Sequence, residues 1–261
     1  EQRPEDWWAG TCSAIKQALS EIDSPEVRGV GLSGQMHSLV PLDSQRQVVR
    51  PAILWNDVRS SAEAAYVRET VGNESLRRLA GNPSLEGFTV TKLLWMKNNE
   101  PDLFAQISHM LLAKDYIRYR LTGELGSEPS DASATLLFDI VNSRWSDEMC
   151  GLLNVNSELL PPIIESAQIA GGVTKSAAIA TGLAEGVPVV GGGADNACAA
   201  IGAGVVSAGD ALFSVGTSGT VVAPTTLPVT DPEMRIHSMR HATPDTWYLM
   251  GVVLSAGAAL D

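Results

Sequence analysis

The stretch from Val187 to Thr220 constrains this chain more than any other. It opens Val187-Pro188-Val189-Val190-Gly191-Gly192-Gly193-Ala194-Asp195-Asn196 and closes Val215-Gly216-Thr217-Ser218-Gly219-Thr220. Val187 to Val190 predicts a short buried strand, β-branched and bounded by glycines on both sides. Three successive glycines let the backbone turn sharply and approach a ligand closely. A helix is expected to start at Asp195-Asn196, because Ala197 to Ile201 is small and apolar. A carboxylate there lies beyond the carboxyl end of a strand, where open α/β sheets bind ligands. An Asp at a helix start is also an ordinary N-cap that needs no ligand. The second half repeats the pattern: apolar Ala211 to Val215, a turn at Gly216 to Gly219, and a returning strand from Thr220 to Ala223. Backbone N–H groups and hydroxyls in such a hairpin suit phosphate oxygens. Together, an acid in one half and a phosphate-like hairpin in the other point to a site.

Composition narrows the class. With 261 residues, 44% hydrophobic and 18% charged, the chain can bury a core as one large or two ordinary domains. A net charge of −12 argues against nucleic acid as a partner, since phosphate backbones need clustered Lys and Arg. No apolar run reaches membrane-spanning length, and Glu1-Gln2-Arg3-Pro4 does not read as a signal peptide. Cys12, Cys150 and Cys198 are scattered, form no C-x-x-C pair and favour a reducing compartment, so a cytoplasmic location is expected. His237 and His241 are four apart, but no Glu separates them and no third ligand is evident, so surface or structural histidines are the better reading.

Along the chain, strands alternate with helices, which predicts an α/β fold. Asp6 is expected to cap a helix whose apolar face is Trp8, Cys12, Ile15, Leu19 and Ile22. Val27 to Leu32 predicts a buried strand ending in Gln35-Met36-His37. Ser38 to Leu42 and Val48 to Leu54 read as extended and lead to Trp55-Asn56-Asp57 and Arg59. His37 reads equally as a hydrogen-bonded loop residue or a substrate contact, and Asp57 with Arg59 reads as a surface pair of little energetic weight. Helices are expected over Ser60–Val71, Glu74–Ala80, from Val90 onward, and over Asp115–Leu121. Ser130 and Asp131 are expected in a loop, Thr135 to Ile140 as a strand, and Ser146 as a helix cap. A boundary is expected near Gly202 to Gly209, giving units 1–205 and 206–261. The first residues read as the run-up to a helix, and Leu260-Asp261 as the inside of another. The chain is therefore expected to be a piece of a longer protein.

These residues carry a resemblance. Gly87-x-Thr89-x-x-Lys92-Leu93-x-Trp95-Met96-x-Asn98-Asn99 resembles the first signature of the FGGY carbohydrate kinases. Gly34-Gln35-Met36-His37 is similar to the sugar-binding loop of the members that act on D-xylulose. Pro51 to Arg59 and Leu112-x-Lys114-Asp115-Tyr116 fit the same pattern. Gly192 to Asn196 resembles the catalytic loop, and Gly216 to Gly219 the phosphate hairpin of a second domain. The resemblance implies an actin-like, RNase H-like α/β kinase that closes around ATP and a sugar. It implies Asp195 as catalytic base, Met36, His37 and Asn196 as sugar contacts, and Thr217 with Gly257 at the nucleotide. It implies D-xylulose and ATP as substrates with Mg²⁺, leaves a homodimer open, and assigns no residue here to the metal. An Asp-x-Gly-Thr phosphate motif that the family carries near its start has no counterpart in this sequence. The chain by itself is therefore expected to show no turnover.

The residues support the kinase reading independently. A sugar hydroxyl is a poor nucleophile, so a carboxylate placed to take its proton assists transfer. There is no G-x-x-x-x-G-K-[ST] phosphate loop and no G-x-S-x-G elbow, which argues against a Walker-type ATPase and a serine hydrolase. The alternatives are a related kinase for ribulose, gluconate or glycerol, and a non-catalytic sugar-binding module.

Overall fold

The structure is a computed structural model, and it describes residues 1–21, 26–253 and 255–257. Ile22 and Leu260-Asp261 lie outside the described residues. The first helix runs Pro4–Leu19 and starts two residues ahead of Asp6, with Arg3 at its N-cap. Pro4 explains the shift: its fixed φ and missing N–H suit the first helical position. Glu5 and Asp6 then lie in the first turn, where negative charge faces the positive end of the helix dipole. The apolar stripe behaves as its spacing predicts. Trp8, Ile15 and Leu19 pack against a buried cluster that includes Leu121, Val173 and Val189.

Two parallel segments bring the sequence motifs together. Ser33–Gly34 pairs in parallel with Gly193–Ala194, and Val30 bridges Val189 in the same direction. The expected strand from Val27 to Leu32 is therefore shorter and interrupted. Its bonds are Val30 N–H to Pro188 O at 2.9 Å and Gly193 N–H to Leu32 O at 2.9 Å. Between them Gly191 and Gly192 leave the ladder and donate instead to Gln168 O and Ser166 O, both at 2.9 Å. Gly192 makes that detour at φ +84°, and a Cβ there would lie 2.5 Å from Leu32 O. Gly192→Ala in the full-length protein should therefore lose at least about 2 kcal/mol, combining backbone strain with a clash against main chain. Gly186→Ala is the control: φ is +83° but nothing lies within 4 Å. Urea melts of the two variants check this, and equal losses would show that the contact with Leu32 is immaterial.

Around this pair the chain is mixed. The family-like signature forms the helix Thr89–Asn99, most of whose residues are buried. Ser146 caps the helix Asp147–Leu153 by accepting from Met149 N–H, as expected. Two expectations fail. Ser130 and Asp131 are not in a loop; they belong to a short helix, Pro129–Ala132, capped by Glu128. Thr135 to Ile140 is not one strand. Ser133–Thr135 is a 3₁₀ turn, Leu136 takes φ +64°, and only Phe138–Asp139 pairs, because Thr135 Oγ1 turns back to accept from Leu137 N–H. Glu74 to Ala80 is also divided, between Asn73–Ser75 and a π-helical turn at Leu76–Ala80.

After the helix Asp195–Gly202, an antiparallel four-stranded sheet forms. Its order is His237–Arg240, Trp247–Val253, Gly219–Thr225, Leu212–Val215. The hairpin Leu212 to Thr225 matches the sequence expectation. The sheet's far end is joined to the earlier residues. Asn82 Nδ2 donates to Ser238 O at 2.8 Å, Trp247 Nε1 donates to Ile140 O at 2.7 Å, and Arg240 N–H donates to Ser133 Oγ at 3.1 Å. One buried apolar cluster runs through Met36, Phe88, Leu93, Ala197, Tyr248 and Met250, so the sheet shares its core with the helix Thr89–Asn99. No helix among the described residues is long and apolar enough to cross a membrane.

Candidate active site

Met36 and His37 follow the Ser33–Gly34 strand, while Asp195 and Asn196 follow its parallel neighbour. Residues at equivalent ends of adjacent parallel strands emerge side by side. Asn196 Nδ2 lies 3.8 Å from Met36 Sδ and donates toward it. The Tyr248 hydroxyl lies 4.0 Å from the same sulfur and 3.4 Å from Met239 Sδ. Tyr248, from the late sheet, thus reaches the wall of this site, and nothing in its local sequence signals that reach.

Asp195 is the first residue of its helix rather than the N-cap, a position held by Ala194. Its Oδ1 accepts from Asn196 N–H at 2.8 Å and from Asn196 Nδ2 at 3.0 Å. The side chain is open to solvent, yet the surrounding protein raises its carboxyl above the usual value. The two Asn196 bonds oppose that rise. Burial therefore outweighs the stabilisation of charge expected from a helix start. Exposure to water limits how much the shift is worth.

His37 takes φ +69°, an uncommon left-handed conformation for a residue with a side chain. Thr89 holds it there by donating from Oγ1 to His37 O at 3.0 Å. His37 Nδ1 lies 2.9 Å from Ala134 O. A carbonyl only accepts, so Nδ1 carries the proton and Nε2 keeps its lone pair. Enclosure of this half-buried residue by protein, and then the positive charge of Lys92, push its pKa down to about 3. Phe88 packs edge-on at 4.8 Å between centroids. His37 is therefore a neutral hydrogen-bond acceptor, rather than a charged group, at any ordinary pH.

Lys92 is fully buried, and among the described residues no carboxylate pairs with its ammonium. Its Nζ donates to Glu86 O at 3.2 Å, to Gly87 O, and to Phe88 O at 3.4 Å. Three carbonyls gathered on one ammonium hold the turn that carries Phe88 and Thr89 against His37. Burial lowers its pKa to about 7.

Behind Asp195 lies a buried charge cluster whose arrangement the sequence does not signal. Lys114 Nζ is 2.7 Å from Asp115 Oδ1, 3.6 Å from Asp131 Oδ2 and 3.8 Å from Glu128 Oε1, with every side chain shielded from water. Arg118 lies 3.1 Å from Asp115 and donates to Gly191 O at 2.7 Å. Burial pushes Asp115 up, but the Lys114 and Arg118 charges outweigh it and hold its carboxyl below the usual value. Asp131 goes the other way. Burial, assisted by Asp115, Glu128 and Asp195, overcomes Lys114 and raises it well above. The signal available in the sequence was Glu128-Pro129, an acceptor followed by Pro at the first helical position.

The remaining sequence candidates fall elsewhere. Thr217 and Gly257 are brought together: Ala256 N–H donates to Thr217 O at 2.8 Å and Gly257 N–H to Gly216 O at 2.9 Å. A Cβ on Gly257 would sit 2.5 Å from Gly216 O, so this close approach requires glycine. Among the described residues, no hydrogen bond joins that hairpin to Asp195. Asp57 and Arg59 do pair, at 2.8 Å, and Arg59 also covers the Trp95 ring. His237 Nδ1 bonds Asn82 Oδ1 at 2.9 Å, while His241 Nδ1 accepts from Thr243 N–H at 3.1 Å.

Residues 1–202 match the model of the FGGY family of carbohydrate kinases, N-terminal domain. The chain belongs to this FGGY family, and its fold is the actin-like fold of sugar kinases. It is similar to the xylulose kinase of Bacillus subtilis, 42% identical over 263 residues, covering 100% of this chain and 52% of that relative. It is equally similar to the xylulose kinase of Escherichia coli, 42% identical, covering 100% of this chain and 53% of that one. Among solved structures, a xylulose kinase from Brucella ovis superposes with a TM-score of 0.94 at 40% identity, covering 100% of this chain and 54% of its own. A Plasmodium falciparum glycerol kinase, with a TM-score of 0.90 at 19% identity over 100% of this chain and 54% of its own, carries the fold alone. The chain spans about half the length of the curated relatives it matches.

Proposed function

We propose that the full-length protein transfers the terminal phosphoryl group of ATP to a hydroxyl of D-xylulose, giving D-xylulose 5-phosphate. The observation that carries this reading is the convergence of Met36-His37 and Asp195-Asn196 at neighbouring parallel strand ends. The xylulose kinases named above, at about 40% identity, support the choice of sugar. In this reading Asp195 accepts the proton of the attacking hydroxyl, and its solvent-open side faces the substrate. His37 accepts a sugar hydroxyl at Nε2. Asn196 donates to another, and Met36 packs against the carbon chain. Residues 1–205 form the sugar-binding part and 206–261 open the nucleotide-binding part, with Thr217 and Gly257 against the nucleotide. A location in the cytoplasm, where ATP is available, suits the free thiols of Cys12, Cys150 and Cys198.

Carbohydrate kinases use ATP with Mg²⁺, which neutralises phosphate charge. No group of three His, Cys, Asp or Glu among the described residues is arranged to hold a metal ion. These residues do not fit a metal centre of their own, and no step here passes through one.

ADP release by the full-length protein with D-xylulose, D-ribulose, gluconate and glycerol tests the reading. Preference for D-xylulose supports it, and ATP consumption indifferent to the ketopentose would overturn it. In the same assay His37→Ala should raise KM for D-xylulose about 5- to 150-fold with KM for ATP little changed. That range corresponds to about 1–3 kcal/mol for a polar partner left unpaired. Equal changes in both constants would make His37 a loop residue only.

A further inference from the structure

The backbone that carries Asp195 is fixed from below by groups the proposed reaction does not touch. Ala194 N–H donates to Ser130 Oγ at 2.9 Å. A hydroxyl that accepts at its oxygen keeps its own proton to give, and Glu128 Oε1 lies 2.7 Å away to take it. Glu128 is saturated in turn. It accepts from Asp131 N–H at 2.8 Å, Ser130 N–H at 3.0 Å and Ser166 Oγ at 2.8 Å. Glu128 and Ser130 are wholly buried. The residue before Ala194 is equally constrained: Gly193 N–H donates to Leu32 O at 2.9 Å, and a Cβ on Gly193 would meet Cys198 Sγ at 2.7 Å and Ala242 Cβ at 3.1 Å.

We propose that Glu128 and Ser130 are positioning residues for Asp195, a carboxylate–hydroxyl–amide relay that sets where the Asp195 carboxylate meets the sugar hydroxyl. The proposal rests on Asp195 being the base. Ala194 is the N-cap, so its N–H lies outside the helix ladder, and Ser130 supplies its partner. Removing the hydroxyl orphans both a buried N–H and an acceptor site on Glu128, and the turn can then shift to find another partner. Displacement of a reacting group by about 1 Å costs on the order of 100-fold in rate. Of the proposed sugar contacts, Met36 and His37 stand on the other strand and are spared, and only Asn196 shares the shifted turn, so the larger effect falls on kcat.

The test uses the full-length protein with Ser130→Ala, Glu128→Gln, the double variant and Asp195→Asn, following ADP release from ATP and D-xylulose below each variant's melting transition. Ser130→Ala is expected to lower kcat about 10- to 100-fold with KM for D-xylulose within about threefold. Glu128→Gln should do the same, and the double variant should be no slower than the slower single, because both act through one N–H. Turnover of Ser130→Ala within twofold of the parent overturns the proposal. So does a double variant whose loss is the product of the singles. If Glu128→Gln fails to fold, Ser130→Ala alone decides. Asp195→Asn separates the two readings. If it retains turnover, the base assignment has failed. If it is inactive while Ser130→Ala is normal, only the relay has failed.

Discussion

Asp195→Asn in the full-length protein is expected to lower kcat by about 100-fold or more, with KM for D-xylulose within a few-fold. The expectation follows from geometry and from the size of general-base effects. A positioned base contributes about 10²- to 10⁴-fold, while the amide keeps the size and shape of the side chain. Asn196 N–H now bonds Asp195 Oδ1 at 2.8 Å, and the amide oxygen of Asn can accept the same bond, so the loop has little reason to move. The amide is neutral and its nitrogen donates rather than accepts, so the variant loses the group able to take a proton late in transfer. The pH dependence carries the same signature. The surrounding protein raises Asp195 above the ordinary carboxylate value in the free protein, so the acid limb of the kcat/KM profile should lie above that value. Turnover falls as the pH drops through this limb, because a protonated carboxyl cannot accept. Steady-state ADP release across pH checks both points, and near-normal turnover by the variant would sink the assignment.

The second large effect is on stability. Lys114→Met in the full-length protein should cost about 3–5 kcal/mol, the range for removing one partner of a buried ionic group. Met matches the volume of the lysine stem, so the loss is electrostatic rather than a cavity. Lys114 is the shared cation. Without it, among the described residues, Asp115 keeps only Arg118 and Glu128 has no cation within ion-pair distance. Asp131→Asn is the informative contrast. Burial and its acidic neighbours raise its carboxyl well above the usual value, and neither of its oxygens has a hydrogen-bond partner among the described residues. Asp131→Asn removes no hydrogen bond and keeps the side chain's shape, so it should cost no more than about 1.5 kcal/mol. Denaturant melts of the two variants make the comparison. Equal losses would show that the cluster needs the Asp131 carboxylate as much as its lysine, and a Lys114→Met loss under about 1 kcal/mol would show that the cluster does not depend on its lysine.

Local physics was written plainly in the sequence. The apolar stripe of Trp8, Ile15 and Leu19, the cap at Ser146, the hairpin around Gly216 to Gly219 and the turn at Gly191 to Gly193 each depend on neighbours a few residues away. Each appears in the structure near its expected place. The polar clusters at Met36-His37 and Asp195-Asn196 read as strand-end turns for the same reason, since strand, glycine turn and polar tip are one local unit, while the roles proposed for them came from the family resemblance. What the sequence could not determine was anything set by distant charges. Ser130 and Asp131 read as loop residues because polar side chains usually seek water. Here a buried Glu128 caps them into a helix, and Ser130 Oγ accepts from Ala194 N–H, 64 residues away. A helix start by itself favours a carboxylate anion at Asp195. Its pKa instead follows the mass of protein around it, which only the assembled structure supplies. The protonated nitrogen of His37 likewise depends on Ala134, 97 residues distant. Short-range sterics and hydrogen bonding select the elements, whereas burial and electrostatics act through space, and the tertiary fold alone decides which charges lose their water and which partners they meet.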